Sequence, residues 1–120
     1  MKKYSFISII CIILLISCEK ETNIRFGFDS RIDKSSEGLV IADISDGVDH
    51  IMLKGILNLS EGEAEVTLLN SYGDIVYSSI IKAPEQWSVE EAFAARPGYW
   101  KLKYKSHNGI GEIDLHLWKY

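Results

Sequence analysis

Cysteine is almost absent. The chain of 120 residues has two, Cys11 and Cys18, and none beyond residue 18. The body of the protein therefore has neither disulfides nor thiolate metal sites, and a single hydrophobic core has to hold it together. An excess of positive charge is missing as well. Lys plus Arg number 13 against 17 Asp plus Glu, a formal charge of −4, which argues against a nucleic-acid partner, since phosphate backbones are bound by clustered cations. No apolar run is long enough to span a bilayer. The longest, Phe6 to Ile16, has 11 residues and as a helix would reach roughly 16 Å, about half of the hydrocarbon layer. Catalytic signatures are lacking too: His50, His107 and His116 show no i, i+4 spacing, and no G-x-S-x-G elbow occurs. These absences predict a protein that is not an enzyme and carries no cofactor.

What is present begins at the N-terminus. Lys2 and Lys3 precede the apolar run, and Leu15-Ile16-Ser17-Cys18 closes it. A basic start, a short apolar core and a cut site make the pattern of a cleaved targeting signal. The four closing residues resemble the lipobox of bacterial lipoproteins, and Leu15 suits that type better than an ordinary secretory site. The resemblance implies removal of residues 1–17, thioether lipidation of Cys18, a short tether over residues 18–23 and a domain over residues 24–120. It implies an address in the bacterial envelope, lipid-anchored at the outer membrane, with the bilayer as a partner. Each buried methylene contributes about 0.8 kcal/mol and one acyl chain holds only marginally, so the two or three chains of such lipoproteins give firm anchoring. Glu19, Lys20 and Glu21 resemble the charged signals that follow the lipidated cysteine in some surface-exported lipoproteins. Loss of Lys2 and Lys3 leaves 11 cationic against 17 anionic side chains, a formal charge of −6.

From Ile24 onward apolar residues recur at period two, and short runs are separated by Gly, Ser, Asn and Asp, the pattern of an all-β domain. An antiparallel β-sandwich of about seven strands is predicted. Ile24, Phe26 and Phe28 alternate in a first strand, and Leu39 to Ile44 reads as a run buried on both faces or lying in the sandwich interior. Ile51, Leu53, Leu57 and Leu59 share an inner row that Gly55 interrupts, a sign of a bulge or of close backbone approach. Ser60 to Glu63 then reads as a hairpin turn into Ala64 to Leu69, and Ser71 to Asp74 as a turn into Ile75 to Ile81. Ser88 to Arg96 is predicted as one short helix, from the capping box Ser88/Glu91 and the alanines Ala92, Ala94 and Ala95, with Trp87 or Phe93 closing one end of the core. Asn108-Gly109 is a type I′ signal. As a two-residue hairpin it pairs residues whose numbers sum to 217, setting Trp100, Leu102 and Tyr104 inward opposite Leu117, Leu115 and Ile113. The same register sets Lys101, Lys103 and Lys105 against His116, Asp114 and Glu112 as a charge ladder.

Three groups are candidate sites. Tyr99 and Trp118, paired outward in that register, make an aromatic patch fit for a glycan or protein partner. Asp43, Asp46 and Asp49, beside His50, form an oxygen-rich loop that is a weak metal candidate, its D-x-x-D-G-x-D spacing departing from an EF-hand. Asp114 and His116 share a face at period two, as a salt-laced strand would place them.

The stretches GILNLSEGEAEVTLLNSYGDIVYSS and RPGYWKLKYKSHNGIGEIDLHL resemble the bacterial pre-peptidase C-terminal type of β-sandwich. That resemblance implies an accessory role beside a catalytic domain, and this chain has none. The leading expectation is a non-catalytic envelope lipoprotein that binds a protein or glycan. The alternative is a small inhibitor or immunity-type lipoprotein that blocks an enzyme with a projecting loop, Asp43 to His50 or Ser106 to Gly109.

Overall fold

The computed structural model describes residues 25–119, so the signal segment, Cys18 and the tether lie outside the described residues. Six strands follow in order: β1 (Arg25–Ile32), β2 (Glu37–Ile44), β3 (His50–Leu69), β4 (Ile75–Lys82), β5 (Glu85–Ala94) and β6 (Gly98–Lys119). All pairings are antiparallel. β3 and β6 run side by side over almost their whole length, from Ile51 opposite Lys119 to Leu69 opposite Lys101. Each is flanked twice. β6 takes β2 along residues 98–105 and β1 along 111–118, while β3 takes β5 along 50–59 and β4 along 63–69. Halving the two long strands gives a first leaf in the order β1-β6-β3-β5 and a second in the order β2-β6-β3-β4. This is jelly-roll order: one ribbon folded across its middle, its halves packed face to face.

The fold line is written in two unpaired residues. β3 and β6 pair with residue numbers that sum to 170, except between Glu61 and Asn108, where the sum is 171. Ser60 is the extra residue on β3 and His107 the extra residue on β6. Each bulge shifts the side-chain alternation by one. Buried residues accordingly fall on odd numbers in 51–59 and on even numbers in 64–68 of β3, and on even numbers in 100–104 and odd numbers in 113–117 of β6. Without the two shifts one leaf would turn its apolar row to solvent.

Backbone groups freed at this corner are taken up locally. Ser106, buried, accepts a hydrogen bond from Gly109 N–H at 2.9 Å through its hydroxyl, which lies 3.2 Å from Gly109 C=O and 3.3 Å from Lys34 C=O. The β1–β2 connection binds the outside of the bend through Ser106 N–H to Ser36 C=O and Asn108 N–H to Lys34 C=O, both 2.9 Å. On the other side Ala83 N–H donates to Gly62 C=O at 2.9 Å. Gly62 has φ +71°, and a Cβ there would lie 2.0 Å from Asn108 O, so β6 crosses where a side chain would be.

The core joins both leaves. Ile51, Leu53, Leu57, Ile113, Leu115 and Leu117 from the first face Val66, Leu68, Ile81, Trp100 and Leu102 from the second, and all are buried. Each such aliphatic side chain contributes about 1.5–3 kcal/mol on burial. Trp100 keeps its indole N–H satisfied by donating to Arg96 C=O at 2.8 Å. Phe28 and Tyr104 meet edge to face with centroids 4.9 Å apart on the β1–β2 side, and Tyr77 lies 6.4 Å from Trp87 on the β4–β5 side. Gly55 is a close approach, as predicted: a Cβ there would meet Asp114 O at 2.2 Å.

Three expectations are corrected. Ser88 to Arg96 is not a helix; most of it belongs to β5, an edge strand whose Trp87, Val89 and Phe93 alternate and pack on the core. Period-two burial overrides the alanine propensity and the capping box there. Neither Ser60–Glu63 nor Asn108-Gly109 is a hairpin turn, since both lie inside continuous strands and stack against each other. A hairpin and a corner both reverse the alternation, so the pattern fits either one. Leu39 to Ile44 is not buried on both faces: Ala42 and Ile44 face the interior, while Leu39 and Ile41 are about half exposed on edge strand β2, at 53% and 51%. About seven strands are predicted and six are present among the described residues, because two predicted pairs fuse and β5 is added. The turn before β4 stands: Asn70 Oδ1 accepts from Tyr72 and Asp74 N–H at 2.9 and 3.0 Å, and Gly73 has φ +87°.

Ser106→Ala strips the corner of its acceptor and leaves Gly109 N–H buried and unpaired. The expected loss is about 1–3 kcal/mol in urea unfolding; a loss near zero is what an exposed hairpin tip would give. Burial first, and the nearby Glu91 carboxylate second, push the Tyr77 hydroxyl above the usual phenol range. The folded state then holds that proton more tightly than the unfolded chain, so this contribution to stability is intact below about pH 10 and is lost as pH rises through the folded value. Absorbance titration should show one late tyrosine that Tyr77→Phe removes.

Candidate functional site

Outward side chains of the first leaf stand in rows across the strands. One row holds Ala92, Met52 and Trp118, the next Glu90, Lys54 and His116, and a third Ser88, Ile56, Asp114 and Asp29. Period-two alternation puts them there: Ile51, Leu53 and Leu57 point inward, so Met52, Lys54 and Ile56 must point out. Among these rows lies an open hollow of about 470 Å³ lined by Met52, Lys54, Gly55, Ile56, Asp114, His116 and Trp118.

Its walls are chemically divided. The indole of Trp118, the thioether of Met52 and the half-exposed Ile56 supply apolar surface. Asp114 and His116 supply a polar pair, with His116 Nδ1 3.2 Å from Asp114 Oδ1. The His116 side chain is only 12% exposed whereas Asp114 is 57% exposed, so the imidazole is held and the carboxylate reaches solvent. Gly27 of β1 makes space for that ring, since a Cβ there would lie 2.8 Å from His116 Cδ2. One row further toward the corner, Asn58 Oδ1 is buried with no hydrogen-bond partner among the described residues. Such a surface offers an apolar platform with acceptors and donors at its rim.

Asp114 and His116 share a face, as expected. Tyr99 and Trp118 do not make one patch. Tyr99 pairs with Asp43 on the second leaf, while Trp118 pairs with Met52 on the first. The lysine ladder also changes partners: Lys105 stands between Glu37 and Glu65, Lys103 between Leu39 and Thr67, and Lys101 between Ile41 and Leu69. Asp43 is the penultimate residue of β2, and its carbonyl accepts from Lys119 Nζ at 3.3 Å, while Asp46 and Asp49 lie in the β2–β3 connection. Among the described residues no three His, Cys, Asp or Glu side chains converge as a metal site requires. Ser106 to Gly109 does not project as a plug; Ser106 and Gly109 are buried in the corner. Met52, Lys54 and Ile56 went unnoticed in the sequence because nothing local announces them. They matter only once β3 is known to lie beside the C-terminal half of β6.

No protein-family model and no curated protein matches the sequence. Among solved structures the chain is similar to an exo-β-1,3-galactanase from Phanerochaete chrysosporium, with 12% identity and a TM-score of 0.43 over 83% of this chain and 28% of that one. It is also similar to BiXyn10A CBM1, with 14% identity and a TM-score of 0.36 over 81% of this chain and 89% of that one. This chain thus spans little more than a quarter of the galactanase's length.

Proposed function

We propose that this protein is a lipid-anchored module of the bacterial envelope that binds a glycan, without catalysis, on the outward face of its first leaf. The observation that carries the reading is the divided wall of the hollow, where Trp118, Met52 and Ile56 adjoin the Asp114–His116 pair and Lys54. A sugar ring has the matching division, with C–H groups on its faces and hydroxyls at its edge. The indole covers the former, and charged acceptors and donors meet the latter. Openness favours a chain passing across the sheet over a small molecule enclosed in it. Anchoring rests on Cys18 and the apolar run before it.

Two measurements test this. Metabolic labelling with a fatty acid should mark the wild type and not Cys18→Ala, and label in both would refute anchoring at Cys18. Retention of the purified protein on a panel of envelope and plant polysaccharides should single out one glycan class. Trp118→Ala should weaken that retention by about tenfold or more, while Tyr99→Ala, on the other leaf, should leave it unchanged. Stoichiometric capture of one enzyme with no glycan retained would favour an inhibitor instead.

A further inference from the structure

The outward face of the second leaf is the opposite side of the sandwich from the hollow. Edge strand β2 presents Leu39 and Ile41, 53% and 51% exposed, and across the sheet β4 presents Ile75, 64% exposed. Between them β6 sets Lys101 and Lys103, and Tyr99, 63% exposed, completes the patch at the end away from the corner. An open depression of about 720 Å³ runs over this face. Toward the corner the charges cancel, because Lys105 stands between Glu37 and Glu65. In the middle of the face they do not, and Asp43, opposite Tyr99, is the one carboxylate beyond on β2 and β6. Lys101 and Lys103 have aliphatic or Thr neighbours on both sides and form no ion pair among the described residues.

Apolar side chains beside unpaired ammonium groups are the arrangement of a surface that lies on an anionic bilayer, with aliphatic groups entering the headgroup boundary and lysines meeting phosphates. The short chain between Cys18 and β1 keeps this face within reach of the bilayer if Cys18 is acylated. Six residues separate Cys18 from Arg25, so the anchor lies at most about 25 Å from the start of β1. β1 begins at the end of the sandwich away from the corner, where Ile41, Tyr99 and Lys101 also lie. The leaves are about 10 Å apart, so the anchor reaches the second leaf's face as easily as the first. The first leaf's outward rows carry four carboxylates, Asp29, Glu90, Glu112 and Asp114, against two cations, Arg31 and Lys54, so an anionic surface disfavours that face.

We infer that the outward face of the second leaf, through Leu39, Ile41, Ile75, Tyr99, Lys101 and Lys103, docks on the anionic phospholipid surface to which the chain is tethered, turning the first leaf's hollow away from the membrane. The inference rests on acylation of Cys18.

After processing, Cys11 is removed and Cys18 is blocked, so Ile41→Cys and Ser88→Cys each give a single thiol for a fluorescent label, one on each leaf. The full chain is expressed with its own signal, extracted and reconstituted into phosphatidylcholine vesicles with 3:7 phosphatidylglycerol, and quenched by spin-labelled lipid. The expected result is several-fold stronger quenching at residue 41 than at residue 88. Lys101→Glu with Lys103→Glu, or about 1 M salt, where the screening length falls to roughly 3 Å, should bring the two close together. Equal quenching in an acylated, vesicle-bound protein overturns the docking and leaves the anchor standing. A chain that carries no lipid and stays off the vesicles overturns the anchor and the docking together.

Discussion

Everything in this fold depends on the two strands that cross from one leaf to the other. β3 and β6 must bend together, keep their hydrogen bonds and still present apolar rows to the same interior on both sides of the bend. One unpaired residue on each, Ser60 and His107, meets all three demands. A bulge bends the strand and shifts the alternation in one step, so the inner face of each half meets the inner face of the other. Gly62 supplies the close approach and Ser106 the missing acceptor, and the β1–β2 and β4–β5 connections cover the outside of the bend. Because those connections cross at the same fold line, all four bands of the ribbon turn at one place.

The bend also distributes the surface chemistry. β6 carries nearly all of the unusual outward residues, but its two halves belong to opposite faces. Tyr99, Lys101 and Lys103 go to one, and Asp114, His116 and Trp118 to the other. Had the strand turned back as a hairpin, the lysines would have neutralised Asp114 and Glu112 and the face would be a charge ladder. Folded as it is, Asp114 instead holds His116, and Lys101 and Lys103 keep their charge among Leu39, Ile41 and Leu69.

This explains which parts of the molecule were legible in the sequence. Rows such as Ile51-Leu53-Leu57 or Trp100-Leu102-Tyr104 state which side of a strand faces inward, because alternation is a property of one strand alone. Pairing is a property of two. The reversal at Asn108-Gly109 is compatible with β6 meeting itself or meeting β3, and the turn chemistry favoured the wrong partner. What decides for β3 is a second reversal at Ser60–Gly62 at the matching distance, and two reversals must be read together for that to appear. The helix prediction over Ser88 to Arg96 failed for a related reason. Trp87, Val89 and Phe93 carry a period of two, but Ala92, Ala94 and Ala95 around Phe93 mask it, and among the described residues β5 pairs only with β3. The candidate site was half visible: Asp114, His116 and Trp118 sit on one strand at alternate positions, whereas Met52, Lys54 and Ile56 enter only through tertiary pairing.

If Cys18 is acylated as proposed, a short tether relaxes the different demands of the two outward faces. The processed chain, with a formal charge of −6, would be repelled as a whole by an anionic bilayer, so two lysines and a few aliphatic side chains would not recruit it from solution. A tether makes the encounter intramolecular, and the face then needs only to select an orientation. The same confinement raises the local concentration of any glycan held at that membrane, so a shallow, open hollow can be occupied without the enclosure that a freely diffusing ligand requires. A weak lower face and a shallow upper face are therefore what a body of about a hundred residues on a six-residue leash would be expected to carry.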